Sequence, residues 1–215
     1  MIELAGFFGN PGRQYSGNRH NVGFMLAEKL PFYDSLSWQK KYKGLYAAMD
    51  GSRLEAYCSE NTLSAPASRL HFIKPETYMN LSGQSLAAAA GFFKIKAESI
   101  IVVHDELELP SGTLSLKFSG GLGGHNGLRS MKACFSTADF WRLRIGIGRP
   151  DSRAPGEGGS KGSGEGVVDW VLSDFSSGEK EILNLVLEKG AELLTRALIE
   201  GPEKLLPVWA KKKVE

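Results

Sequence analysis

Cysteine is scarce in this chain of 215 residues, which contains only Cys58 and Cys134. The two lie far apart and lack the CxxC spacing of a zinc site, so the sequence favours neither a disulfide framework nor bound zinc. We expect both cysteines to be core residues of a protein that works in a reducing compartment.

Long apolar runs are also missing. No segment approaches the roughly 18 consecutive apolar residues that a transmembrane helix requires. The first ten residues, MIELAGFFGN, lack the positive start and the uninterrupted apolar stretch of a signal peptide. We therefore expect a cytoplasmic protein with no membrane segment.

An excess of one charge is absent, because 26 Lys and Arg face 24 Asp and Glu and leave a net charge of +2. Any surface that binds nucleic acid must therefore be local. The length suits one well-buried core, which predicts a single domain over residues 1–215. Within it, the glycine-rich residues 150–166 predict a flexible loop.

Standard nucleotide-binding and nucleophile motifs are absent as well. Gly121 and Gly123 fit the first two positions of GxGxxG, but Asn126 stands where the last glycine belongs. The chain has no Gly-Lys dipeptide for a P-loop and no GxSxG nucleophile motif. If the protein is a hydrolase, water is its natural nucleophile.

What the sequence does contain is an alternation of strand and helix patterns. The clearest is the run IIVV at residues 100–103, which has no polar face, as in a strand buried on both sides. We predict an α/β fold, a three-layer globule with a twisted mixed sheet flanked by helices. The predicted strands cover residues 2–8, 42–49, 53–58, 70–73, 100–103, 113–118, 142–148 and 167–172. The predicted helices include residues 22–30, 86–93 and one that begins at a Ser176–Glu179 capping box. We expect residues 211–213 to form a solvated lysine tail.

Several polar residues fall where these strands end or in the loops beyond them: Asn10, His20, Asn80, Asp105 and Asn126. In open α/β sheets ligands bind at that edge, so we expect these side chains to meet in one cleft. A neutral imidazole can deprotonate water, a carboxylate can hold its other nitrogen, and amides can bind a carbonyl or an oxyanion.

Five motifs occur in register along the chain. They are GNPGRQY with RHNVGF (residues 9–15 and 19–24), KPETYMNLSG (74–83), HDELELPSG (104–112), GGLGGHNGLRS (120–130) and RLRIGIGRP (142–150). Together they cover nearly the whole chain and are far more specific than a single glycine pattern. In these motifs the sequence resembles the bacterial-type peptidyl-tRNA hydrolases. The resemblance implies cleavage of the ester between a peptide and the 3′ end of tRNA.

By matching position, the resemblance makes His20 the catalytic base and Asp105 its paired carboxylate. Five further residues match positions that hold the peptide, the terminal nucleotide or groups near the ester: Asn10, Tyr15, Met79, Asn80 and Asn126. The resemblance also implies that Lys117 and Arg144 bind the 5′ phosphate of the tRNA partner. It also implies a monomer. Because the chain offers no closed set of metal ligands, we expect no metal and no cofactor.

Three positions depart from the family pattern: Phe7 and Asn18 replace the usual small residues, and the insert after Pro150 is long. Two other interpretations stay open. Some family members in plant organelles act as splicing factors with a protein partner rather than as hydrolases. A metal-dependent amidase or peptidase could use His20, His104 and Asp105, although the chain has no HExxH-like spacing.

Overall fold

A mixed sheet of eight strands runs through the residues that the computed structural model describes, 1–57, 68–150 and 164–214. The strands are β1 (Leu4–Phe7), β2 (Gln39–Lys41), β3 (Gly44–Asp50), β4 (Arg69–Pro75), β5 (Ile100–Glu106), β6 (Thr113–Phe118), β7 (Trp141–Gly146) and β8 (Lys212–Lys213). Their order across the sheet is β2-β3-β4-β1-β5-β7-β6-β8. Both edge strands are short, exposed and rich in lysine.

The centre of the sheet is parallel and its margins are antiparallel. β1 pairs in parallel with β4 and β5, and β5 pairs in parallel with β7, whereas the remaining pairings are antiparallel. The apolar run at the start of β5 is fully buried because helices cover both faces. The carboxyl ends of β1, β4, β5 and β7 therefore share one edge of the sheet, as the sequence predicted.

Helices form a layer on each face. They are α1 (Val22–Ala27), α2 (Ser82–Phe93), α3 (Asn126–Phe135), α4 (Gly164–Leu172), α5 (Ser177–Glu200) and α6 (Pro202–Trp209). The larger buried cluster contains side chains of α1, α5 and α6 together with one face of the sheet, and the smaller cluster contains α2, α3 and the opposite face. This confirms the predicted three-layer α/β fold. The Ser176–Glu179 capping box is also confirmed at the start of α5.

The hairpin predicted for residues 42–58 is wrong. Residues Gly51–Tyr57 form a 3-10 helix, and the hairpin partner of β3 is β2. The turn between them consists of Tyr42 and Lys43, both with positive φ. In the 3-10 segment Leu54 is buried between exposed Arg53 and Ala56, which is not the alternation that a half-buried strand requires.

Two predictions near the C-terminus are also wrong. Residues 167–172 form part of α4 rather than a strand, because a short apolar run has no periodicity that separates strand from helix. The lysines are not a free tail, since Lys212 and Lys213 pair with the start of β6 as β8. Their side chains are exposed to solvent, as predicted, but their backbone is paired in the sheet.

The cysteine prediction is wrong for Cys134, which is exposed near the end of α3. Cys58 and most of the predicted loop at residues 150–166 lie outside the described residues. No helix within the described ranges is long and apolar enough to cross a bilayer.

Candidate active site

Two imidazole rings and one carboxyl group meet at the edge of the sheet where the central strands end. Asp105 is the penultimate residue of β5 and is only 3% exposed. His20 lies in the 3-10 turn Arg19–Asn21 that follows β1, and His125 is the N-cap of α3. The strand and the two turns therefore bring together groups that are 85 and 20 residues apart in sequence.

His20 and Asp105 form a buried pair. Nδ1 of His20 lies 2.8 Å from Oδ1 of Asp105, and the carboxylate requires the proton to be on Nδ1. The other ring nitrogen, Nε2, has no hydrogen bond among the described residues and is the atom available to a water. Burial opposes protonation of His20, but the charge and hydrogen bond of Asp105 outweigh it and raise the pKa of the imidazole above its usual value.

His125 is a site residue that the sequence interpretation did not select. Its Nε2 lies 3.0 Å from the same oxygen of Asp105. Burial opposes ionisation of Asp105, yet the two neighbouring histidines together hold the pKa of its carboxyl well below the usual range. The glycine-rich stretch before His125 was the available signal, because such a loop can carry its last residue into a cleft.

The donor atoms of His20, Asp105 and His125 lie within 4.8 Å of one another, close enough for a shared metal ion. The tautomer of His125 argues against this use. Nδ1 of His125 accepts a hydrogen bond from the backbone N–H of Gly127, so Nε2 carries the proton and donates to Asp105. A metal on Nε2 would ordinarily require the proton on Nδ1, opposite the N–H of Gly127. The geometry suits a hydrogen-bonded network better than a metal centre.

His104, a ligand in the peptidase hypothesis, is not part of this group. It is fully buried, and its Nδ1 bonds the backbone carbonyl of Asp105 at 2.7 Å. Its Nε2 has no partner among the described residues, and its ring meets that of His125 edge to face with centroids 4.8 Å apart. His104 therefore packs against the ring of His125 and offers no atom to the cleft.

Asn10 is held by three backbone-to-amide hydrogen bonds. Its backbone N–H donates to Asn21 Oδ1, and Nδ2 of Asn21 donates to the carbonyl of Asn10. Oδ1 of Asn10 accepts from the backbone N–H of Met79 at 2.8 Å. Asn21 precedes α1 but makes no side-chain cap to it, and its amide instead fixes the turn after β1. The NH₂ group of Asn10 remains available as a donor.

A cleft of about 350 Å³ opens beside the three catalytic candidates. Three valines of α4, Val167, Val168 and Val171, give the cleft an apolar wall. Asn126 lines the cleft with its side chain exposed at the start of α3. Asn80 is exposed in the adjacent turn Met79–Leu81 and lies outside the lining, as does the half-buried Tyr15.

Lys117 and Arg144 lie away from the cleft lining, on β6 and β7. The register pairs Lys117 with Arg142 and Ser115 with Arg144, which places the two candidate phosphate ligands diagonally on one face of the sheet. Arg144 bonds Ser115 Oγ at 2.7 Å and Glu106 at 3.4 Å. Arg142, on the same strand as Arg144, is buried.

The position of α4 is fixed by the two residues before His20. Arg19 stacks on Trp170 with its guanidinium carbon 3.7 Å from the ring centre, and it makes two 2.8 Å bonds to Glu179. The side chain of Asn18 donates to the carbonyl of Leu172, the last residue of α4. The departure from the family pattern at Asn18 thus supplies a contact to the cleft wall.

Comparison with known sequences gives one consistent result. The family model described as "Peptidyl-tRNA hydrolase" matches residues 4–215. The chain is 38% identical to the peptidyl-tRNA hydrolase of Treponema pallidum (strain Nichols) over 99% of this chain and 96% of that protein. It is 36% identical to the peptidyl-tRNA hydrolase of Dichelobacter nodosus over 96% of this chain and 97% of that protein.

Solved structures agree with the sequences. A crystal structure of a peptidyl-tRNA hydrolase in complex with N-propanol superposes with a TM-score of 0.80 at 29% identity, covering 99% of this chain and 96% of that one. The peptidyl-tRNA hydrolase from Acinetobacter baumannii superposes with a TM-score of 0.78, at the same identity and coverage. The likeness therefore extends over the sheet and both of its helical layers.

Proposed function

Because the chain belongs to the peptidyl-tRNA hydrolase family, we propose that it hydrolyses the ester bond between a peptide and the 3′ end of tRNA. The products are free tRNA and the peptide. The observation that carries the proposal is the orientation of His20, whose Nδ1 is held by Asp105 while Nε2 stays available to a water. An imidazole held in this tautomer is a general base.

The proposed reaction proceeds through water. Nε2 of His20 removes a proton from the water as its oxygen attacks the ester carbonyl, and Asp105 stabilises the resulting imidazolium. The imidazolium then returns the proton to the departing 3′ oxygen of the ribose. We assign the amide groups of Asn10 and Asn126 as donors to the peptide backbone or to the developing oxyanion. His125 holds the second side of Asp105 and limits rotation of its carboxylate.

Substrate binding extends the site on both sides. We assign the peptide and terminal nucleotide to Asn10, Tyr15, Met79, Asn80 and Asn126. For Met79 the supporting contact is its backbone bond to Asn10. Lys117 and Arg144 are assigned to the 5′ phosphate, since charge-assisted contacts from two neighbouring strands are strong and well positioned. We also propose that the protein is a cytoplasmic monomer that needs no cofactor.

Neither alternative function is supported by the comparisons. The family model and the two relatives compared above are described as hydrolases, not as splicing factors. The peptidase hypothesis loses His104 as a ligand, because its nitrogens face a carbonyl and the protein interior.

The central test is His20→Asn, assayed on peptidyl-tRNA. We expect kcat to fall by about 10²–10⁴-fold, the usual contribution of general-base catalysis. His71→Asn is the matched control, because His71 lies on β4 and bonds Tyr46 rather than the site. It should keep near-normal turnover. Turnover of His20→Asn within a few-fold of the parent protein would contradict the proposal.

Exhaustive chelation separates this function from metal-dependent hydrolysis. Activity should persist when the chelator is present and the tRNA is prefolded, since the proposed chemistry needs only imidazole, carboxylate and water. Loss of activity that one transition metal ion alone restores would favour the metal-dependent alternative. A short peptidyl-nucleotide ester is the control substrate, because it has no tertiary fold for ions to affect.

A further inference from the structure

The glycine loop Gly120–Gly124 lies between the proposed catalytic cleft and the proposed phosphate-binding strands. Its last residues continue into His125 and Asn126 at the start of α3, and its first residue follows β6. Gly120, Gly123 and Gly124 have positive φ, and Gly121, Gly123 and Gly124 have almost no neighbouring atoms where a side chain would lie. Such a segment has little packing of its own, so its position depends on a few anchors.

The strongest anchor at the start of the loop is Arg142. Nη1 of Arg142 donates to the carbonyl of Gly121 at 2.6 Å, and Nη2 donates to the carbonyl of Gly120 at 3.0 Å. The side chain is 1% exposed, and its guanidinium carbon lies 4.9 Å from the ring centre of Phe140. Two parallel bonds from a planar guanidinium fix orientation as well as distance.

The loop transmits this position to the cleft through one turn. The backbone N–H of His125 donates to the carbonyl of Leu122 at 2.9 Å, and Leu122 packs against the smaller core cluster. The ring of His125 then reaches Asp105. Only Gly123 and Gly124 lie between Leu122 and His125 in the sequence, so the loop has an anchored beginning, an anchored end and two glycines free to flex.

The same loop faces the proposed tRNA contact. A side chain on Gly120 would lie 2.9 Å from Cε of Lys117 and 3.1 Å from its Nζ. In the sheet register Lys117 is directly opposite Arg142. The ammonium of Lys117 and the guanidinium of Arg142 therefore both approach the loop at Gly120.

We propose that Arg142 is a positioning residue that sets the glycine loop so that His125 and Asn126 face the ester while Lys117 faces the terminal phosphate. Arg142 itself contacts neither group: it acts through the carbonyls of Gly120 and Gly121. The proposal rests on the proposed function, because it deepens the account of that same site. It predicts that loss of Arg142 impairs turnover of any ester substrate, whereas loss of Lys117 impairs only substrates that carry the acceptor stem.

The experiment compares Arg142→Lys and Lys117→Ala on two substrates, full-length peptidyl-tRNA and a short peptidyl-nucleotide ester. Arg142→Lys keeps the positive charge but cannot make both parallel bonds. We expect its kcat to fall by about ten- to a hundredfold on both substrates, as for a small misplacement of a catalytic group. Lys117→Ala should raise KM on full-length substrate alone. Arg69→Lys, an exposed arginine on β4 that pairs with Asp50, is the matched control and should leave both substrates unaffected.

Arg142→Ala provides a second readout. If it folds, as judged by circular dichroism and its thermal midpoint, added guanidinium should restore part of the lost kcat by occupying the vacated site. If it does not fold, the comparison rests on Arg142→Lys and on the NMR signals of the His125 ring, which should shift in that variant and stay unchanged in Arg69→Lys.

Three results would overturn the proposal. One is a normal kcat for Arg142→Lys on the short ester together with a lower thermal midpoint, which would make Arg142 purely structural. Another is a rise in KM on full-length substrate alone, which would make Arg142 a direct phosphate ligand. The third is an unshifted His125 signal. Failure of the proposed function is distinct, since the parent protein would then turn over neither substrate.

Discussion

At the scale of single residues, the shared oxygen of Asp105 determines the protonation of the whole site. Oδ1 of Asp105 accepts from Nδ1 of His20 and from Nε2 of His125. Two donors on one buried carboxylate keep it ionised, and the ionised carboxylate in turn favours the charged form of His20. Asp105 therefore sets both the tautomer of the proposed base and the pH at which it becomes neutral.

The first prediction concerns Asp105→Asn. The neutral form of His20 is the active one, so kcat/KM should fall as pH decreases through its pKa, which the carboxylate raises above the usual value. An amide removes the attraction and leaves the effect of burial, which lowers the pKa. We expect the acid limb of the pH–rate profile to move to lower pH and the maximum of kcat/KM to fall.

Rate profiles of the parent protein, Asp105→Asn and the control Asp50→Asn would test this. Asp50 is an exposed carboxylate at the end of β3, so its replacement removes the same charge at a distance from the site. An acid limb that stays in place in Asp105→Asn, or moves to higher pH, would show that Asp105 does not set the pKa of the base.

The sequence was informative about these residues to different degrees. Asp105 and His20 could be selected because each follows a recognisable strand. His125 was not selected, because the glycine-rich stretch before it indicates a place near the cleft but not the contact with an oxygen 20 residues away.

At the scale of elements, β6 and β7 carry the proposed tRNA contacts on one face. The second prediction is that Lys117→Ala with Arg144→Ala raises KM for peptidyl-tRNA and leaves kcat almost unchanged, because phosphate contacts position the substrate without taking part in the chemistry. The salt dependence of binding should flatten by roughly one unit of log–log slope for each phosphate that the variant no longer neutralises.

A matched double variant, Lys40→Ala with Arg69→Ala, removes two exposed positive charges from the opposite side of the sheet. It should change KM and the salt slope far less. Equal effects from the two double variants would mean that net charge, not position, is what the tRNA responds to. Arg144 would then simply form ion pairs such as the one with Glu106.

The third prediction concerns the attachment of α4 and α5 to the turn that carries His20. Arg19 is almost completely buried and makes a bidentate pair with Glu179. Arg19→Met should reduce the free energy of unfolding by about 1.5–3 kcal/mol, because the partly exposed carboxylate of Glu179 loses its charge-assisted bonds to Arg19 but keeps those from Ser176. Urea unfolding would measure the loss.

The double variant Arg19→Met with Glu179→Gln distinguishes a charge effect from a packing effect, because Gln removes the charge but can keep the capping box of α5. If the unpaired carboxylate causes the destabilisation, the second substitution should recover much of the free energy of unfolding. No recovery would mean that the stacking of Arg19 on Trp170 contributes most of the stabilisation.

At the scale of the whole molecule, the sequence predicted the three-layer arrangement of sheet and helices better than it predicted the elements near the C-terminus. The β-branched run of β5 favours a strand, and the capping box before α5 favours the start of a helix. β8 could not be predicted, since Lys212 and Lys213 carry no strand pattern and pair only because the chain returns to an open edge of β6. α4 was assigned wrongly because six residues with mostly apolar side chains satisfy two periodicities.

The fourth prediction concerns the pH dependence of folding. Burial, followed by the neighbouring His125, holds the pKa of His104 well below its usual value, although Asp105 partly opposes this. Below about pH 6.5 the unfolded chain binds a proton that the folded chain excludes, so stability declines as pH falls. The expected decline approaches about 1.4 kcal/mol per pH unit for this one group.

Denaturant unfolding between about pH 7.5 and 5.5 would check this expectation, because that range brackets the ordinary pKa of histidine. His104→Gln should flatten the decline. His20 provides a contrast, because its raised pKa contributes stability that is fully present below the unfolded value and is lost as pH rises through the folded one. His20→Gln should therefore steepen the decline, and equal slopes in all three proteins would refute the assignment.

The two lysine-bearing edge strands have a consequence for how copies of the molecule meet. A sheet with an open edge offers unpaired backbone groups to any strand that approaches, which is the first step towards aggregation. Here β2 and β8 are two to three residues long and expose Lys40, Lys41, Lys212 and Lys213. Two such edges repel one another and provide too few backbone groups for a stable pairing. Within the described residues, neither edge of the sheet therefore favours pairing with a second copy of the molecule, even when the copies are crowded together.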